Sequence, residues 1–295
     1  MFSLLLHIGC VCLVWKLISS LLRVHGGVSE KQILYVNFIT TLLFAVHPIN
    51  VEAVAWISAL KVLLYAFFYL LGLLCYLRYI RTSKIFYYVL TIGCFLCSFW
   101  GKEQAVTFPL ALLIVDWFTN RNMKNLEVWS EKMSFLIMAF FFGIITVLSQ
   151  GKGPYEMIFP LYQRLLFGCF ALVEYITKSL LPVNLNFFYP FPIVLGEEPP
   201  LHYYLYPVVL LFLMGWIIAY RNNRYLVFGV LLFLVNLLFS IHLFNMSRHA
   251  IVADRYMYLS YVGIAFLIAN GIWWLRKRLS YFKAALVFLF FYCCR

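Results

Sequence analysis

Long apolar runs separated by short polar links recur along the whole chain. They fall at residues 3–22, 33–48, 62–79, 85–100, 105–118, 134–149, 201–220, 225–243 and 256–275, with another beginning near 284. A helix needs roughly 20 apolar residues to cross a bilayer, and fewer where neighbouring helices bury it. The pattern predicts an all-α polytopic membrane protein, a single transmembrane domain over 1–295 with about nine spans plus the start of a tenth. One further run, 161–181, is long enough to cross but carries Arg164, Glu174 and Lys178. Its crossing would exchange the sides of every later link. The parity of the charged links predicts instead one interfacial or re-entrant helix. Pro182 to Pro200 follows with five prolines, which predicts an external loop packed over the bundle.

Composition agrees with the pattern. Hydrophobic residues make up 65% of 295, charged residues 12%, and mean hydropathy is +0.91, against about a quarter charged in soluble domains. The net charge of +12 does not indicate a nucleic-acid partner, because the cations sit in short links between apolar runs. Fourteen of them fall in alternate links (Arg23 and Lys31; Arg78, Arg81 and Lys84; Arg121, Lys124 and Lys132; Arg221 and Arg224; Arg276, Lys277, Arg278 and Lys283). The opposite links hold only seven cations and seven acids. Excess positive charge marks the cytoplasmic side, so the poorer set is noncytoplasmic. The eight cysteines lie in or beside apolar runs with no zinc-type spacing, and Cys94-x-x-Cys97 reads as small core residues.

Three polar islets interrupt the apolar background: His47-Pro48-Ile49-Asn50-Val51-Glu52, Gly101-Lys102-Glu103-Gln104 and Ala253-Asp254-Arg255-Tyr256. Charge counting puts all three on the noncytoplasmic face. Ionisable groups are costly near lipid, so their convergence points to a reaction or transport site. Only 36 residues separate Lys84 from Arg121. Two equal helical arms then rise about 27 Å at most, which leaves Lys102 and Glu103 at or just below the hydrocarbon boundary. Gly101 permits close approach of a ligand or of another backbone. Glu52 opens an apolar amphipathic turn and needs a cationic partner, for which Arg255, Lys102 and Arg248 are the candidates. Arg255 can grip a phosphate or carboxylate with two prongs. Plainer readings stand beside these: a Lys102–Glu103 loop salt bridge, a proline that stops a helix beside an interfacial His47, an Asp254 that orients Arg255, and an aromatic belt of Tyr256, Tyr258, Tyr189, Phe187 and Phe188. Asp116 is expected to pair with the basic link beside it, and Asn245-Met246-Ser247 matches a glycosylation acceptor.

The islets and their flanks, His47 to Ser58, Gly101 to Pro109 and Ala253 to Leu259, resemble in this order the membrane half of the TMTC-type O-mannosyltransferases. Leu181-Pro182-Val183-Asn184-Leu185-Asn186-Phe187-Phe188-Tyr189-Pro190 is similar to a loop of bacterial members. The resemblance covers nearly the whole chain and implies a GT-C glycosyltransferase fold. The implied activity is transfer of a sugar, typically mannose, from a polyprenyl- or dolichyl-phosphate carrier to a Ser or Thr hydroxyl of an acceptor protein. It would proceed on the noncytoplasmic face of a bacterial inner membrane, or of the endoplasmic reticulum in a eukaryote. Lys102, Arg255 and Arg248 are then the donor-phosphate ligands, Glu103 and Asp254 hold those cations, and His47, Glu52 and Tyr256 shape the site. No metal ligands are identified, although a divalent metal could share the leaving-group charge.

Two departures accompany the resemblance. Family members carry a catalytic acidic pair in the loop after their first span and have tetratricopeptide repeats, and neither is found here. With Met1 on the outer side, no cleavable signal and a last run too short to cross, the chain is expected to be a fragment, inactive alone. The competing readings are a transporter or lipid flippase, which would need ionisable groups at mid-span, and a non-catalytic membrane anchor or assembly subunit.

Overall fold

The computed structural model describes residues 1–149, 159–186, 188–194, 196–241 and 250–293. Within them the fold is all-helical: α1 (Phe2–His25), α2 (Glu30–Val46), α3 (Val51–Ala55), α4 (Leu60–Thr82), α5 (Ile85–Gly101), α6 (Phe108–Phe118), α7 (Leu126–Ser149), α8 (Leu161–Leu180), α9 (Leu205–Ala219), α10 (Arg224–Leu237) and α11 (Met257–Cys293). Local signals set several boundaries. The Ser29 hydroxyl caps α2 by accepting from the Gln32 amide, and Asn223 caps α10 by accepting from Tyr225 and Leu226. Pro109 sits in the first turn of α6, where its missing N–H costs nothing. Ser83 ends α4 in a left-handed conformation, φ 53°.

Contacts sort the helix termini into two ends. At one end His25 bonds the Phe118 carbonyl, Arg224 bonds Asn120, and Trp273 of α11 packs on Tyr35 of α2. At the other, His7 bonds Tyr258 and the Ala45 carbonyl, Tyr65 bonds Asn236, and Gln104 bonds Ser240. The first end carries the cationic links and the second carries the three polar islets; they are called the inner and outer ends below.

Among the described residues five helical stretches are long and apolar enough to cross a membrane alone: Phe2–His25, Ile57–Thr82, Leu126–Thr146, Leu201–Ala219 and Asp254–Leu279. A sixth forms if Glu30–Val46 and Pro48–Ala55, bent by 50° at His47-Pro48, count as one. The other expected spans are shorter. α5 has 17 residues, α6 has 11 and α10 has 14. At 1.5 Å per residue α10 rises only roughly 21 Å, against a hydrocarbon core of about 30 Å. α5 rises roughly 25 Å, and α6 with its 3-10 lead-in Glu103–Thr107 rises roughly 26 Å, so the two arms that meet at Lys102 are close to equal, as the link length predicts. The separate run expected from 284 does not start a new helix: α11 continues unbroken to Cys293. Neither Gly nor Pro follows Arg276-Lys277-Arg278, so nothing there stops it.

α8 lies across the outer end. Its Gly168 abuts the Ile241 backbone, Tyr175 bonds Ala253, and Lys178 reaches Asp254. The proline-rich loop is pinned over the same end, since Tyr189 pairs with Val252 in an isolated antiparallel bridge. Small residues draw other backbones together. A Cβ on Gly263 would stand 2.5 Å from the Gly229 carbonyl oxygen, and one on Gly101 would stand 2.7 Å from the Tyr65 nitrogen. The close approach that Gly101 permits is therefore to α4.

A candidate lipid-phosphate site at the outer end

The 3-10 turn Asp254–Tyr256 leads into α11, and Glu52 in the first turn of α3 faces it. Glu52 accepts from the Arg255 backbone amide at 2.7 Å and from the Arg255 guanidinium at 2.5 Å. Both bonds are charge-assisted, and together they fix α3 to the start of α11. The Arg255 guanidinium also lies 5.0 Å from the Trp56 ring and 5.1 Å from the Tyr256 ring. Lys102, only 5% exposed, holds its ammonium 4.2 Å from the centre of that same Tyr256 ring. Two cations from distant parts of the sequence thus rest on one aromatic side chain. In a partly dry setting each such contact is worth up to about 2 kcal/mol.

Asp254 is held differently from the expectation. It lies 3.5 Å from Lys178 and accepts from the Tyr189 hydroxyl at 2.9 Å. Lys178 also meets Glu174 at 3.6 Å, one turn earlier on α8, and stands 3.4 Å from the Tyr189 ring centre. Burial, aided by the Asp254 carboxylate, pushes the Tyr189 phenol above its ordinary range, so it stays a donor to that carboxylate. The backbone between the clusters is clamped as well: Tyr175 donates to the Ala253 carbonyl and accepts from the Ala253 amide.

The sequence-selected residues therefore meet in part. Glu52, Lys102, Asp254, Arg255 and Tyr256 form one cluster, and His47 stands beside it, its ring 4.3 Å from that of Tyr261 and its Nδ1 accepting from the Ile49 amide. Two pairings are corrected. Arg255 is held by Glu52 and not by Asp254, and Glu103, at the start of a 3-10 turn, makes no ion pair among the described residues. Tyr258 is fully buried against His7 and does not belong to an interfacial belt. Arg248, Phe187 and the Asn245-Met246-Ser247 triplet lie outside the described residues. Lys178 is the first addition to the site, and Tyr189, expected only in an aromatic belt, is the second. The Glu174–Lys178 spacing on an amphipathic helix is the signal that could have found the first. Among the described residues no three side chains of His, Cys, Asp or Glu gather closely enough to hold a metal ion.

A chain of this hydropathy with five such helices is a multi-pass integral membrane protein. Over 32% of its length it is 36% identical to the protein O-mannosyl-transferase TMTC2 of Mus musculus and 37% identical to that of Homo sapiens. Over 43% of its length it is 27% identical to the protein O-mannosyl-transferase Tmtc3 of Drosophila melanogaster. The matched segments span 12%, 12% and 16% of those relatives. No family model and no solved structure matches the chain.

Proposed function

We propose that the outer cluster receives the phosphate of a lipid-linked sugar, and that the chain forms the membrane portion of a glycosyltransferase. In this reading the outer end faces the noncytoplasmic compartment, nine helices pass between the two ends, and α8 lies in the interface. The donor is a polyprenyl- or dolichyl-phosphate sugar, mannose by analogy with the relatives' names, and the acceptor is a Ser or Thr hydroxyl of a protein. The observation that carries the proposal is the convergence of Lys102 and Arg255 on Tyr256, and in this reading that ring lies at the height of the lipid phosphate.

The reaction is a single displacement at the anomeric carbon. The bond from that carbon to the lipid phosphate breaks, the phosphate leaves with the electron pair, and the acceptor oxygen forms the new bond as its proton passes to a base. Lys102 and Arg255 offset the charge that grows on the leaving phosphate. Glu52 and Asp254 are engaged as counter-ions to Arg255 and Lys178, so neither is assigned as the base. Lys178 and Tyr189 act on the site by holding Asp254 and the turn that presents Arg255.

Binding of dolichyl-phosphate mannose to the purified protein, compared with unphosphorylated dolichol, tests the reading. Wild type should prefer the phosphate, and Lys102→Ala should weaken that binding ten-fold or more, the loss of a charged contact worth about 1.5–3 kcal/mol. Equal affinity for the alcohol, or an unaffected Lys102→Ala protein, would overturn it.

A further inference from the structure

The inner end carries a concave feature on the seam between α2 and α11. Lys31, Leu34, Tyr35 and Phe38 line it from α2, and Trp273, Arg276 and Lys277 line it from α11, around a volume of about 640 Å³. The spacing 31, 34, 35 and 38 is one face of a helix, so the groove runs along α2 from its first turn toward the middle of the bundle. Its two halves differ in chemistry. At the rim stand three cations with no acid among the lining residues, and none of the three makes an ion pair among the described residues. Glu30, the acid nearest in sequence, is turned to Arg23 at 3.3 Å. Below the rim, Leu34 is 61% and Phe38 52% exposed, two apolar side chains facing outward where acyl chains would run.

An aromatic pair joins the halves. The Tyr35 and Trp273 rings lie 5.3 Å apart at 50°, and the Arg276 guanidinium rests 5.1 Å from the Tyr35 ring. That contact places the guanidinium of the exposed Arg276 at the groove. Topology alone asks only that cations be on this side of the membrane. It does not ask that they flank an aromatic pair beside exposed apolar side chains.

We propose that this groove binds an anionic phospholipid, its phosphate among Lys31, Arg276 and Lys277 and one acyl chain along Leu34 and Phe38. Basic pockets between membrane helices on the cationic side have the charge and depth for such headgroups. The site is independent of the outer cluster and of the function proposed for it. By bridging α2 and α11 the lipid would tie together the two helices whose opposite ends carry His47 and Arg255.

Native mass spectrometry of the full chain, released from nanodiscs of phosphatidylcholine doped with phosphatidylglycerol, tests the proposal. Wild type should retain phosphatidylglycerol in preference to phosphatidylcholine. Lys31→Gln, Arg276→Gln and Lys277→Gln should each weaken retention roughly five-fold. The control triple Arg78→Gln, Arg81→Gln and Lys84→Gln removes equal charge from another cationic link and should leave retention unchanged. The pair Tyr35→Ala and Trp273→Ala keeps every charge, and so the orientation signal, but should also lose retention. Equal retention of the two lipids, equal loss in the control triple, full retention without the aromatic pair, or a dimer occupying the seam would each overturn the proposal.

Discussion

The described residues include two buried charged clusters, one near each end of α4, and they are built on different plans. The inner one gathers Asp116, Lys132, Arg121 and Glu131 with Tyr76 and Tyr79. Asp116 and Lys132 are both fully buried and pair with each other; Arg121 meets Glu131 at 2.7 Å and Asp116 at 3.4 Å. Tyr76 donates to both Asp116 oxygens at 2.8 Å, and Tyr79 donates to Glu131 at 2.9 Å. Its members come from α4, α7 and the end of α6, within 56 residues of one another. The outer cluster joins residues as far as 203 apart, through helix ends and a loop, and it sets two of its cations against an aromatic face. A network whose charges satisfy one another locally serves packing. One assembled from segment ends, with cations on a shared ring, is suited to meet a charged ligand.

The inner cluster should give the largest stability effects. Asp116→Asn leaves Lys132 buried without its nearest countercharge and should destabilise the protein by about 3–5 kcal/mol. Adding Lys132→Met should recover much of that loss, because the pair gains little over an apolar replacement of similar volume. Thermal unfolding in nanodiscs reads both changes, and a double variant no more stable than the single would show that the cluster does more than balance its own charges.

At the outer end the balance shifts from stability toward binding. Lys102→Ala should lose lipid-phosphate binding with a small change in melting temperature. Arg255→Ala also strands the half-buried Glu52 and should cost stability as well, whereas the pair Glu52→Gln and Arg255→Met should fold and still fail to bind. If that pair binds dolichyl-phosphate mannose as wild type does, Arg255 is a structural residue of the same kind as Arg121. The smallest effect belongs to Arg23→Gln. Its bridge to Glu30 is open to solvent, with side chains 54% and 75% exposed, and should contribute no more than about 0.5 kcal/mol to the same unfolding measurement.

Much of this contrast was legible in the chain. Apolar periodicity located nearly every helix, and link charge placed the three islets at one end, because both signals are local. Partner choice was not. Glu52 and Arg255 could be named as a candidate pair, but Asp254 is taken by Lys178 and Tyr189, residues 76 and 65 positions away, and no spacing rule reaches that far. The 3-10 start of the expected 105–118 helix and the unbroken α11 were missed for a related reason: a 3-10 turn and a helix running through a basic link both depend on what packs beside them. α7 begins at Leu126, ahead of the expected 134, so Glu131 and Lys132 are helical, and Lys132 meets Asp116 while Glu131 meets Arg121.

The account rests on the outer cluster facing the compartment opposite the cationic links. A membrane-impermeant maleimide applied to intact cells tests this with single cysteines in a background freed of the native eight. Val183→Cys, in the exposed loop over the outer cluster, should label without permeabilisation, and Lys124→Cys, in the link beside the inner cluster, only after it. The reverse pattern would place Lys102 and Arg255 on the cytoplasmic side and contradict the proposed chemistry.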